Sequence, residues 1–161
     1  MKADPASAVA ATIRGATVRD IDSIERLLQV SDLPIDGVRD IVTKRPEDFV
    51  IAVSGDAVVG VAGLERCGND ALLRSVAVNP EWRSTGVGNK LVHALVDSAE
   101  ARGLRAMYLL TLTAEKYFPR FGFNRIERGD VPAAVADTSE FKSVCPSTAV
   151  VMRRVSGATQ A

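Results

Sequence analysis

The 161 residues, 47% hydrophobic and 25% charged, have the length and apolar content of one domain with a sizeable core, which excludes an extensively disordered or collagen-like chain. Twenty basic residues balance twenty acidic ones, so bulk charge gives no support to a nucleic-acid or anionic-membrane partner. Two cysteines, Cys67 and Cys145, and one histidine, His93, are too few for a disulfide scaffold or a zinc cluster; no metal site is expected, and a cytoplasmic chain without a membrane span is.

Residues 1–11 read as a loose N-terminal arm and 156–161 as a polar tail, enclosing a single domain over 12–155. A strand is predicted at 12–18, then a helix on which Ile21, Ile24, Leu27 and Leu28 share an apolar face. Asp20 or Asp22 caps its start, the latter backed by Glu25 three positions on. Pro34 and Gly37 punctuate the chain before a shorter helix at 38–44. Strands at 49–53 and 57–64, joined by Ser54, Gly55 and Asp56, make an antiparallel hairpin. A polar break at 67–70 leads to a third central strand, 72–78, stopped by Asn79 and Pro80. From Val87 the period changes, with Leu91, Leu95 and Ala99 recurring every four residues and Gly103 placed to end the helix. A strand at 106–112 precedes a short helix that starts at Thr113, carries Tyr117, Phe118 and Phe121, and is interrupted by Pro119. Strands at 123–127 and 149–154 close the pattern, with a helical turn at 133–136 between them.

The most informative segment runs from Val76 to Gly88. A strand stops at Pro80, Gly86 and Gly88 follow two apart, and an amphipathic helix begins at once. Such a turn aims unpaired backbone N–H groups into one concavity, where glycines let the main chain approach an anion and the helix dipole favours negative charge. Arg83 adds a candidate charge-assisted contact to phosphate. The same pattern also describes a tight strand-to-helix turn that binds nothing. It is not a nucleotide P-loop, because the Lys-Ser/Thr pair is missing, and it lacks the third glycine and the acidic residue of a dinucleotide fingerprint.

Arg83, Gly86 and Gly88, with the preceding strand, the helix after them and the Phe121-Gly122-Phe123 turn, resemble the Arg/Gln-x-x-Gly-x-Gly/Ala motif and layout of the GNAT acetyltransferases over residues 12–154. The resemblance implies an α/β GNAT acyl-CoA N-acyltransferase fold, a mixed, mostly antiparallel sheet of six to seven strands flanked by about four helices. It also implies acetyl-CoA as cofactor, its pyrophosphate held by N–H groups of Ser84, Thr85, Gly86, Val87, Gly88 and Asn89. Stretches at 72–78, 108–115, 130–133 and 141–146 resemble, more narrowly, acetyltransferases encoded in arsenic-resistance operons. The second half is similar, more distantly, to the acetyltransferase domain of N-acetylglutamate synthases. Both favour a small amino-acid-like amine as acceptor.

Under that resemblance the strand Val76, Ala77, Val78 offers backbone groups to pantetheine, and an N–H near Ala77 or Val78 stabilises the oxygen that gains charge when an amine attacks the thioester. The attacking ammonium must first lose a proton. Glu65, after a strand and before a polar turn, is the leading acceptor of that proton, with Glu115 as a second candidate; each is also an ordinary solvated carboxylate by position. The family's usual tyrosine, four residues before the glycine of the Gly-Phe turn, is Phe118 here, which leaves the adjacent Tyr117 as the candidate acid ahead of Tyr108.

Arg74 interrupts an apolar strand and either grips an acceptor carboxylate or pairs with an acid such as Glu65. Arg120, Arg125 and Lys142 are further candidate anion contacts. Thr111 and Thr113 bond either the cofactor or the local backbone. Cys145 has no histidine partner and Trp82 packs beside the loop. Competing readings keep the fold with a peptide or polyamine acceptor, or remove turnover and leave an acyl-CoA sensor. A homodimer through a late strand is one further arrangement.

Overall fold

The computed structural model of the chain describes residues 10–144 and 148–157. Its strands are β1 (Thr12–Gly15), β2 (Phe49–Ser54), β3 (Ala57–Cys67), β4 (Asp70–Val78), β5 (Ala106–Thr111), β6 (Asn124–Ile126) and β7 (Val150–Val155). Among the described residues the α-helices are α1 (Ile21–Val30), α2 (Val38–Lys44), α3 (Val87–Ala101) and the single turn α4 (Ala133–Ala136). The strands form one sheet of order β1-β2-β3-β4-β5-β7-β6, in which β4 and β5 run parallel while β1/β2, β2/β3, β5/β7 and β6/β7 are antiparallel. This is the mixed, mostly antiparallel α/β architecture that the sequence predicts.

By its internal contacts the chain divides into two compact units. The first contains the residues up to Gly63 together with Ser75–Leu95. Its core joins the α1 face of Ile21, Ile24, Leu27 and Leu28 to Val38 and Val42 of α2 and to Phe49, Ile51, Val61 and Ala77 of the sheet. The apolar spacing read from the sequence is therefore the buried face of α1. Its cap differs from expectation. The Asp20 carboxylate turns back to accept from the Thr17 amide at 2.8 Å and from Arg14 at 2.9 and 3.1 Å, while Asp22 pairs with exposed Arg39. That back-bonding folds residues 17–20 into a turn, which is why β1 stops at Gly15 rather than running to 18. Arg14 holds the Asp20 carboxyl below the usual carboxylate range through those hydrogen bonds.

In the β2/β3 register Phe49 lies opposite Gly63, and its fully buried ring sits where a side chain would be. A Cβ on Gly63 would fall 2.3 Å from Phe49 Cζ. The ring has no exposed surface, so Gly63→Ala is expected to cost about 1–3 kcal/mol by overpacking, read as a lower urea midpoint at unchanged slope.

The second unit contains Leu64–Arg74 and the residues from Val96 onward. Cys67 and Asp70, read from the sequence as part of a polar break, are buried strand residues, so β3 and β4 turn on Gly68 and Asn69 alone. Asp70 is held there by Arg105 at 3.0 Å. The parallel ladder between β4 and β5 covers Asp70–Leu72 and Ala106–Tyr108, whereas β5 and β7 pair along six residues. Gly103, at φ +76°, ends α3 as expected, with the Leu104 amide donating to Ala99 O at 3.0 Å. Pro119 does not interrupt a helix from Thr113; it stands in the first turn of a short 3-10 segment, Phe118–Phe121, where its missing N–H costs nothing. Arg154 ties this segment to α3, donating through Nε to Phe121 O and through its guanidinium to Glu100, each at 2.7 Å.

Candidate active site

In the first unit the chain leaves β4 through a sequence of short local bonds. Asn79 Oδ1 accepts from the Glu81 amide at 2.9 Å, buried Trp82 anchors the turn, and the Thr85 hydroxyl donates to Trp82 O. Ser84 at φ +68° and Gly86 at φ +90° are both left-handed. The Lys90 amide reaches Gly86 O at 3.1 Å at the start of α3, where the first-turn amides of an α-helix lie ahead of its ladder. Left-handed residues so near a helix start turn neighbouring amides toward one concavity, and the helix dipole adds to their field. A Cβ on Gly86 would meet no heavy atom within 4 Å, so the space beside the glycine is open. Exposed Arg83 donates to Val78 O at 3.4 Å, at the base of the same turn. The structure thus places Arg83, Ser84, Thr85, Gly86, Val87, Gly88 and Asn89 in one turn, a candidate cradle, at the start of a long helix. Trp82 is 7% exposed and is core rather than a stacking surface.

The β4 residues Val76, Ala77 and Val78 lead directly into this turn. Immediately before them Ser75, at φ +59°, breaks the extended backbone within the strand. A left-handed non-glycine inside a strand is uncommon and kinks it. Nothing in the residue type signals it, and the sequence reading missed it.

In the second unit Arg74 is the centre of a charged cluster. Its side chain has no exposed surface, one guanidinium nitrogen lies 2.8 Å from Glu65 Oε1, and the other lies 3.5 Å from Glu140 Oε1. Glu65 keeps 25% of its side chain open, while Glu140 keeps 9%. The pairing with Glu65, one of the two arrangements weighed from the sequence, is the one present. Glu140 was missed because it sits in a π-helical turn, Glu140–Val144, within a stretch whose sequence reads as irregular. Cys67, next to the cluster, donates its thiol to Glu65 O, and burial followed by the charges of Glu65 and Asp70 pushes that thiol up to about 12. It stays protonated at neutral pH and is no nucleophile.

The remaining candidates in this unit are engaged locally. Thr111 Oγ1 accepts from the Ala114 amide at 2.9 Å as a turn cap, and Thr113 is exposed. Glu115 pairs with Arg125 at 3.1 Å and Lys142 approaches Asp137 at 3.6 Å, all with exposed side chains. Arg120 donates to Tyr117 O and lies over the Tyr117 ring at 4.5 Å. Tyr117 is half-buried, packed edge-on against Phe118 and Phe121, and burial raises its hydroxyl pKa. Phe118 is 7% exposed and packs on Phe123, and Tyr108 lies buried in the core with Cys67, Leu72 and Val135. Cys145 and Pro146 lie outside the described residues.

Residues 16–123 match the model of the acetyltransferase (GNAT) family. The chain is 29% identical over 126 residues to an amino-acid acetyltransferase of Aeromonas salmonicida, covering 74% of this chain and 28% of that protein. It is 28% identical over 141 residues to an amino-acid acetyltransferase of Ectopseudomonas mendocina, covering 81% and 32%. The chain therefore spans about a third of the length of these curated relatives. Among solved structures it is similar to Rv2747 of Mycobacterium tuberculosis in complex with CoA and NLQ, at TM-score 0.74 and 25% identity over 89% of this chain and 98% of that one. It also superposes on N-acetylglutamate synthase of Neisseria gonorrhoeae complexed with coenzyme A and N-acetyl-glutamate, at TM-score 0.76 and 19% identity, covering 91% and 35%, a likeness of fold.

Proposed function

Because the chain belongs to the acetyltransferase (GNAT) family, we propose that it transfers the acetyl group of acetyl-CoA to the primary amine of a small molecule, an amino acid or a close analogue. The observation that carries this reading is the cradle at Ser84–Asn89. Two left-handed residues, the start of a long helix and the open space beside Gly86 suit the diphosphate of coenzyme A. Arg83 adds a positive charge at its base. The amino-acid acetyltransferases among its relatives, and the complexes of similar folds with coenzyme A, support the donor and the acceptor class.

In this reading the chain's own groups divide the chemistry. Amides of the cradle hold the diphosphate, and an amide at Ala77 or Val78 donates to the thioester carbonyl oxygen as charge builds on it. Glu65 takes the proton that the acceptor ammonium must lose, directly or through water. The amine nitrogen then forms its bond to the acetyl carbon and sheds its second proton to solvent, and the carbon–sulfur bond breaks so that the sulfur leaves as thiolate. Tyr117 is the side chain we assign to reprotonate that thiolate. Orientation of donor and acceptor supplies much of the remaining acceleration.

Gly86→Val tests the cradle. A β-branched residue at φ +90° costs about 1–3 kcal/mol of backbone strain or forces the loop out of shape. Calorimetry is expected to read coenzyme A binding at least about tenfold weaker, equivalent to about 1.4 kcal/mol. Affinity equal to that of the unaltered chain would overturn the assignment.

The activity itself is tested by thiol release from acetyl-CoA with a panel of amino acids, polyamines and a short peptide. The panel includes phosphinate and arsinate analogues of glutamate, because the resemblance to arsenic-operon acetyltransferases points to a resistance role. A second reading, an acyl-CoA sensor without turnover, is favoured by one observation: the family's usual tyrosine position is filled by buried Phe118. Coenzyme A binding with no thiol release across the whole panel would select it.

A further inference from the structure

The buried Arg74 has two carboxylate partners of unequal exposure, and this inequality assigns them different work. Glu65 is the more open of the two and, in the function proposed above, takes the acceptor's proton. Glu140 is nearly enclosed and lies on the other guanidinium nitrogen. Its turn is held by its own bonds: the Thr138 hydroxyl donates to Val135 O at 2.8 Å, and the Lys142 amide donates to Thr138 O at 3.0 Å. A π-helical turn is a locally unfavourable backbone form, retained where it places a particular side chain. Here the side chain it places is Glu140, against Arg74.

We propose that Glu140 and Arg74 are positioning residues that act through Glu65, Glu140 fixing the Arg74 guanidinium and Arg74 fixing the Glu65 carboxylate, and that Arg74 does not bind an acceptor carboxylate. The inference rests on Glu65 being the proton acceptor. A guanidinium with no exposed surface, already engaged by two carboxylates, offers an incoming acid no exposed edge. An acceptor carboxylate would have to expel one glutamate and face the other. Glu65, the more open of the two carboxylates, is instead the one suited to meet the ammonium end of the acceptor.

Two measurements separate these roles. The first is a double-variant cycle in thiol release at saturating acetyl-CoA, using Glu65→Gln, Glu140→Gln and the pair. Glu140→Gln is expected to lower kcat about tenfold with coenzyme A affinity by calorimetry unchanged, and to have no further effect in the Glu65→Gln background, because residues that act as a unit are not additive. Equal losses in both backgrounds, or no loss in the unaltered background, would overturn the proposal. The second compares an amino acid with its decarboxylated amine in Arg74→Lys. Unchanged preference between them supports a positioning role; a preference that collapses toward the amine would return Arg74 to carboxylate binding.

Coenzyme A binding serves as the control for folding. If neither Glu140→Gln nor Glu140→Asp binds coenzyme A while the unaltered chain does, Glu140 is a structural residue and the proposal fails. The premise fails separately, when Glu65→Gln retains full turnover.

Discussion

Arg74→Ala is expected to lower the unfolding free energy by about 3 kcal/mol, at the lower edge of the range for breaking a buried ion pair from one side. The side chain has no exposed surface, so its removal leaves both a cavity and two glutamates without their shared cation. Glu140 cannot rehydrate without moving its turn, whereas Glu65, a quarter exposed, recovers part of its solvation, which keeps the loss from the upper edge of the range. Arg74→Lys retains the charge but cannot span both carboxylates with a planar fork, and should lie between the two. Urea unfolding followed by circular dichroism gives the comparison. A loss under about 1 kcal/mol for Arg74→Ala would mean that the pair is worth no more than a surface bridge and that both carboxylates have other support.

What the sequence made legible is what local period and turn chemistry determine. The α1 face of Ile21, Ile24, Leu27 and Leu28, the α3 period of Leu91, Leu95 and Ala99, and the β2/β3 hairpin each follow from spacing within one element. The cradle at Ser84–Asn89 was legible for the same reason, since strand, paired glycines and helix start are neighbours along the chain. The misses share an opposite cause. Asp20 abandoned the helix cap for Thr17 and Arg14, and Cys67 and Asp70 became strand because Arg105 and the apolar core covered them. Arg74 presented two readings, with Glu65 already named as a partner; the second carboxylate, Glu140, comes from a distant turn that spacing along the chain does not connect to it.

The largest functional loss is expected at Glu65. Glutamine in its place keeps the shape and can still accept a hydrogen bond from Arg74, so the fold and the cluster's geometry should survive. What it cannot do is take a proton from an ammonium acceptor. General-base removal costs about 10²–10⁴ in turnover, so thiol release by Glu65→Gln at saturating acetyl-CoA should fall at least about a hundredfold, while calorimetry reads unchanged coenzyme A affinity. If Glu115→Gln rather than Glu65→Gln stops turnover, the proton acceptor is the exposed carboxylate paired with Arg125, and the buried arginine cluster serves the fold alone. If Glu65→Gln weakens coenzyme A binding as much as it slows release, its effect is a loss of donor binding and the general-base assignment falls.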